Sequence, residues 1–155
     1  MRKRSGTSAG ASRLPEPIFF TDRDLGKKFP AILREAGLCV EPYDEHFPSG
    51  TVPDEEWLRY VGERHWIAIS HDRSQIITPP ERDAAMRAGV KVFYVIGSAP
   101  YAELAISFLD AIDQVRKLIA RHQDPFLAKV YRSTAAQRAR VRVYLTFAQW
   151  LKKLK

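Results

Sequence analysis

The sequence predicts an α/β fold in which a mostly parallel central sheet carries helices on both faces, and three observations lead there. Four short β-prone runs alternate with segments of helical period, the order that parallel strands joined by crossover helices require. The runs are largely apolar throughout, as strands covered on both faces should be. The chain has 155 residues, 45% of them hydrophobic, enough for one ordinary domain with a packed core.

The first strand is Ile18 to Thr21, which stops abruptly at Asp22. Leu25 to Ala36 reads as a helix: Phe29, Ile32, Leu33 and Ala36 share one face, Gly37 is a C-cap, and Pro30 falls in the first turns, where proline is tolerated. Leu38 to Glu41 forms a second strand and Asp44 to Val52 a loop. Asp54 is placed as the N-cap of a helix over Glu55 to Arg64, in which Trp57, Leu58 and Val61 recur at helical spacing. Trp66 to Ser70 is a third strand, again running into an acid, Asp72.

Pro79 and Pro80 open a helix through Arg87 that Gly89 caps, Val90 to Ile96 is a fourth strand, and Tyr101 to Arg121 is expected as one long helix. Phe126 to Tyr131 and the alternating Arg140, Val141, Arg142, Val143 and Tyr144 predict an added hairpin with one apolar and one basic face. Trp150, Leu151 and Leu154 close the chain in a short basic helix.

Residues 1–16 are rich in Ser, Gly, Ala, Arg and Pro and bury too little apolar surface to offset their ordering entropy, so a disordered basic leader is expected. Residues 17–122 then form the α/β core, with 123–155 as a basic hairpin and helix of the same domain. The formal charge of +7 favours an anionic partner. Its distribution says more: residues 17–112 hold ten basic and fifteen acidic side chains, residues 113–155 eleven basic and two acidic. An acidic middle suits cations and a basic end suits a polyanion, although the same charges also serve faces that are merely solvated.

With one cysteine, Cys39, the chain has no intramolecular disulfide and no cysteine zinc cage, which fits a reducing, cytoplasmic compartment. No apolar stretch approaches the ~20 residues of a membrane span, and no apolar region follows the basic residues of the leader, so neither a membrane partner nor export is expected.

In open parallel sheets ligands bind outside the carboxyl ends of the strands. Asp22 and Asp72 lie at such ends, and Asp54 opens the helix that feeds the second of them, so the three acids are expected to converge on one edge. Like charges held together raise one another's pKa unless a cation compensates them. All-oxygen ligation points to Mg²⁺ or Mn²⁺, which in phosphodiester hydrolysis acidifies a bound water and stabilises the attacking and leaving oxygens. Singly, each motif is weak: acids end strands in many α/β proteins, and Asp-Glu-Glu before a helix is ordinarily a cap.

In this order, the runs FFTDRDLG and VPDEEWLRYVGERHWIAISHDRSQI resemble the PIN-domain ribonucleases, in particular PIN-like proteins related to the VapC toxins of toxin–antitoxin systems. Asp22 matches the acid ending the first strand, Asp54 the acid opening a helix, and Ser70-His71-Asp72 the Thr-x-Asp or Ser-x-Asp of the later strand. The resemblance covers Ile18 to Ile96, and it implies a PIN-like three-layer fold and metal-dependent cleavage of RNA by water without a covalent intermediate. It further implies that Asp22, Asp54 and Asp72 hold Mg²⁺ or Mn²⁺, with Glu45 or Glu55 as helper. Asp24 and Ser70 would support them, Ser70 either by orienting a carboxylate or water or merely by satisfying a strand end. For the family's second acid, Glu35, Glu41, Asp44 and Glu45 all compete, and Asp24 and Glu55 are near enough to share ligand duty. Implied partners are RNA, an antitoxin protein and a second copy of the chain.

His46, His65, His71 and His122 lack zinc-site spacing, and His71, placed between Ser70 and Asp72 where it could touch a phosphate, is read first as an ordinary surface histidine. Trp57 and Trp66 sit at core positions. Arg138, Arg140, Arg142, Lys152, Lys153 and Lys155 form the densest basic group, interleaved with Tyr131, Tyr144 and Trp150, a pattern suited to single-stranded RNA or to an acidic partner. Arg23 and Arg73, each beside a proposed ligand, would neutralise phosphates or the acids themselves. Two rivals remain: a non-catalytic RNA- or protein-binding module on the same fold, and a metal-dependent DNA nuclease.

Overall fold

Phe19 and Phe20 are adjacent in an extended strand, so their side chains leave opposite faces of the sheet, and each is fully buried in a different apolar cluster. That one dipeptide defines the three layers. The computed structural model describes residues 16–72 and 77–154. The expected leader, apart from Glu16, and Arg73 lie outside the described residues.

Six strands make one sheet: β1 (Ile18–Thr21), β2 (Cys39–Pro42), β3 (Ile67–Asp72), β4 (Val92–Ile96), β5 (Phe126–Tyr131) and β6 (Arg140–Thr146), in the order β2-β1-β3-β4-β5-β6. All neighbours are parallel except β5 and β6, which pair antiparallel with a register shift between Leu127 and Ala128. On the Phe19 face pack α1 (Lys28–Glu35), α5 (Tyr101–Asp110) and α6 (Ile112–Arg121), through Phe29, Leu33, Leu104, Phe108 and Val115. On the Phe20 face pack the short α2 (Tyr43–His46), α3 (Asp54–Glu63), α4 (Pro79–Ala88) and α7 (Phe147–Lys153), through Tyr43, Trp57, Val61, Met86 and Trp150. Trp57 stacks on Phe20 with ring centroids 5.4 Å apart, and Trp66 lies on the same ring at 6.3 Å.

Four details depart from the sequence expectation. The stretch expected as one helix over Tyr101 to Arg121 breaks at Ala111. No Gly or Pro marks the break, and the apolar stripe runs through it unbroken. A straight helix of that length would run about 30 Å and leave the twisted sheet, whereas two shorter helices both stay on it. The segment after β2 is not all loop, because Tyr43 turns inward and nucleates the single turn of α2, its hydroxyl accepting the Val52 N–H at 2.9 Å. Leu25 belongs to a 3-10 turn over Arg23–Leu25, so α1 begins only at Lys28. Finally, Pro53 occupies the N-cap of α3, leaving the Asp54 carboxylate to a different partner.

The end of α4 follows the sequence closely. Thr78 and Glu81 form a reciprocal capping box, two prolines occupy the first turn, and Gly89 ends the helix at φ 75°, the left-handed conformation that glycine adopts without strain. Among the described residues no helix is long and apolar enough to cross a membrane.

Candidate active site

From β1 the chain moves to β2 on one side, and the sheet grows toward β3 on the other, so the loops after β1 and β3 diverge and leave a crevice at their carboxyl ends. Asp22 stands at its rim. Its backbone N–H donates to Ile69 O at 2.9 Å, extending the β1–β3 ladder by one bond. Its carboxylate then caps the 3-10 turn, Oδ1 accepting the Arg23 N–H at 2.6 Å, while Oδ2 accepts the Ser70 hydroxyl at 2.8 Å.

Both hydrogen bonds favour the ionised form, yet the Asp22 pKa is raised to about 7. Burial is the largest cause, the Asp24 charge adds to it, and Asp54 contributes further. Desolvation therefore outweighs hydrogen bonding here.

Asp54 is exposed at the start of α3, but one oxygen accepts the Trp57 indole N–H at 3.0 Å. Because Trp57 is packed against Phe20, that bond ties an exposed carboxylate to the core. Asp72 ends β3 and is 6% exposed, its backbone carbonyl accepting the Gly97 N–H at 3.4 Å. Thus Asp22, Asp24, Asp54 and Asp72 line a single cavity of about 590 Å³, together with Ser70 and Arg23.

A fifth acid lines it: Glu81, which no sequence argument had singled out. Its Oε1 accepts the Thr78 hydroxyl at 3.3 Å and its Oε2 the Tyr94 hydroxyl at 3.4 Å. Burial, chiefly, raises its pKa, and Asp54 raises it further. Tyr94, buried below, is pushed well above its ordinary value by burial and by the acids above it, Glu81 first. The signal was present as Thr78-Pro79-Pro80-Glu81, the spacing of a capping box, which marks a helix start and so conceals a second use of the glutamate.

The expected helpers lie elsewhere. Glu45 sits exposed on α2 with both oxygens on the Arg34 guanidinium, at 2.8 and 2.9 Å, and that guanidinium lowers its pKa. It lines a separate hollow with Lys27 and Pro30, not the acid cavity. Glu55 is exposed on the first turn of α3 and does not line the cavity, nor do Glu35, Glu41 or Asp44; Glu41 meets His46 Nε2 at 2.7 Å. His71 is not a surface residue: it is 9% exposed and its Nε2 lies 2.7 Å from Gly97 O, a carbonyl that only accepts, so that nitrogen carries a proton. Arg23 lines the cavity and donates to Thr51 Oγ1 at 2.7 Å.

The basic group is split by the fold. Because β6 runs antiparallel to β5, Arg138, Arg140 and Arg142 lie toward the carboxyl end of β5, while Lys152 and Lys153 on α7 follow the opposite end. Trp150 is buried, its indole N–H donating to Asp83 Oδ1 at 2.8 Å.

Among the described residues, no group of three or more His, Cys, Asp or Glu side chains stands ready-made to hold a metal ion. The donor set still fits a hard divalent cation: among the described residues five carboxylates, with Arg23 as the one Lys or Arg side chain, line one cavity, and burial already holds Asp22 toward its protonated form.

A family model described as a PIN-like domain matches residues 17–97, just over half of the chain. The chain therefore belongs to the PIN-like domain family, within a nuclease-type superfamily whose members generally use divalent metals. The matched segment contains β1 to β4 and all five cavity acids; α5, α6, β5, β6 and α7 lie beyond it. No curated protein and no solved structure matches the chain.

Proposed function

We propose that the protein is a divalent-metal-dependent ribonuclease that hydrolyses phosphodiester bonds in RNA. The observation that carries the reading is the convergence of Asp22, Asp54, Asp72 and Glu81 on one cavity at the β1/β3 crevice, with the Asp22 pKa raised to about 7. Mg²⁺ or Mn²⁺ would be held by Asp22, Asp54 and Asp72, with Glu81 as the fourth acid in place of the expected Glu45 or Glu55. Such an ion, when bound, supplies charge for the phosphate oxygens and acidifies water for direct attack.

The chain's own residues do the positioning. Ser70 fixes one Asp22 oxygen, the Trp57 indole fixes one of Asp54, and Tyr94 with Thr78 fixes Glu81. Arg23, tethered to Thr51, offers a cation to a substrate phosphate at the same rim. The phosphodiester is thereby presented between a cluster of anions that need a cation and a guanidinium that needs an anion.

The test is calorimetric titration with Mn²⁺ alongside cleavage of labelled single-stranded RNA, single-stranded DNA and duplexes. Binding and RNA cleavage that both vanish in Asp72→Asn support the reading. RNA binding with no Mn²⁺ uptake and no cleavage would establish a non-catalytic module instead, and preference for DNA would reassign the substrate.

A further inference from the structure

We propose that the face of β5 and β6 shared with Tyr94 is a track for single-stranded RNA leading to the acidic cavity. These strands lie outside the matched family segment, so the surface belongs to this chain's own extension. Its direction toward the cavity rests on the nuclease reading above.

Register places the residues. Tyr94 on β4 pairs with Lys129 on β5, which pairs with Arg142 on β6; two residues along, and so on the same face, Tyr131 pairs with Arg140. Partners in a ladder project to the same face, so Tyr94, Lys129 and Arg142 form one row across three strands. At the inner end of that row Tyr94 donates its hydroxyl to Glu81 in the cavity. The row thus runs from the residue that contacts Glu81 to the basic edge strand.

On the face, cations and rings alternate. The Lys129 ammonium lies 4.5 Å from the Tyr144 ring centroid, and the Arg140 guanidinium 4.6 Å from that of Tyr131. Tyr144 is 42% exposed, Arg142 is exposed, and no Asp or Glu occurs anywhere from Pro125 to Lys155. Cations that neutralise phosphates beside planar groups on which bases stack are what an unpaired strand needs; a duplex hides its base faces. An acidic peptide would use the cations and leave the aromatic spacing unexplained. Lys152 and Lys153 are excluded from the track because α7 is anchored at the other end of β5 through Trp150 and Asp83.

The test is fluorescence anisotropy with a fluorescein-labelled, unstructured pyrimidine RNA in EDTA, comparing Arg140→Glu/Arg142→Glu with Lys152→Glu/Lys153→Glu, two variants of identical charge change. The arginine variant should weaken binding at least about tenfold and flatten its salt dependence, the lysine variant by no more than about twofold. Tyr144→Ala should weaken binding about fivefold while leaving the salt dependence intact. Arg142→Ala, at an exposed position, guards against misfolding of the double variant and should show a smaller loss in the same direction. Equal losses in the two charge variants, equal affinity for duplex RNA, or equal affinity for polyglutamate would each overturn the track. Because binding is read without divalent ions, a protein that binds on this face but never cleaves RNA sinks the nuclease reading alone. Cleavage and binding untouched in the arginine variant sink the track alone.

Discussion

The Ser70 hydroxyl donates to Asp22 Oδ2 at 2.8 Å, a bond between residues 48 apart in sequence that locks the end of β3 to the end of β1. It also acts against burial, favouring the charged carboxylate that desolvation penalises. Ser70→Ala removes one hydrogen bond of about 1 kcal/mol, close to a factor of five in an equilibrium constant. Mn²⁺ affinity and RNA cleavage at neutral pH should fall about that much, and the pH midpoint of both should move upward, because Asp22 gives up its proton later. Calorimetry and a pH–rate profile check this; an unchanged midpoint would show that Ser70 only satisfies a strand end.

Asp22 also sets a pH dependence of stability. Its folded pKa of about 7 lies above the ordinary 3.8, so between those values the folded state keeps a proton that the unfolded chain releases. The Asp22 contribution to stability therefore falls as pH rises through that window and levels off above about 7. Asp22→Asn has no such charge, so its melting temperature relative to the native protein should climb across the same window and then stay constant. Saturating Mn²⁺ should narrow the difference, since it stabilises only the native carboxylate cluster. Thermal melts across the range, with and without the ion, read both effects; a flat difference would show that Asp22 ionises at its ordinary value.

Glu81 and Glu45 separate site from surface. Glu81→Gln keeps a side chain that serves a capping box, so α4 should remain intact while the cavity loses one charge. Mn²⁺ affinity and cleavage should drop about tenfold or more, at undiminished stability. Glu45→Gln breaks an exposed pair with Arg34, worth at most about 1 kcal/mol, and should leave both activities unchanged. The reverse ranking would return Glu45 to the site.

What the sequence made legible follows the range of the physics involved. Strand ends and caps are local: Ile18 to Thr21 stopping at Asp22, and Pro79 to Gly89 bounded by its two caps, stand where composition puts them. Three acids in one cavity could be anticipated because strand order in a parallel sheet dictates which ends meet. Glu81 could not, since its helix start enters the crevice only once α4 has packed beside α3, and sequence shows only its capping role. Glu45 failed for the converse reason: Arg34, eleven residues away, captures it across the α1–α2 contact. The break at Ala111 was hidden because an unbroken apolar stripe serves one straight helix and two bent ones equally well.

The contact that fixes α4 beside α3 yields the last prediction. Gly62 lies in α3 with ordinary helical geometry, so alanine there gains helix propensity of about 1 kcal/mol. A Cβ at this position, however, meets the carbonyl oxygen of Ala88 at the end of α4, and a backbone atom cannot swing aside as a side-chain tip would. The two helices must separate, with overpacking costs of about 1–3 kcal/mol that outweigh the gain. Gly62→Ala should thus lower the melting temperature by a few degrees, at about 2–4 °C per kcal/mol for a chain of this size. The loss should extend to the site, because α3 carries Asp54 and α4 carries Glu81 at their amino ends, and separated helices hold those acids farther apart. Mn²⁺ affinity should therefore fall although Gly62 touches no part of the cavity. A variant that melts higher than the native protein would show that the α3–α4 contact yields freely, and that the spacing of Asp54 and Glu81 is set elsewhere.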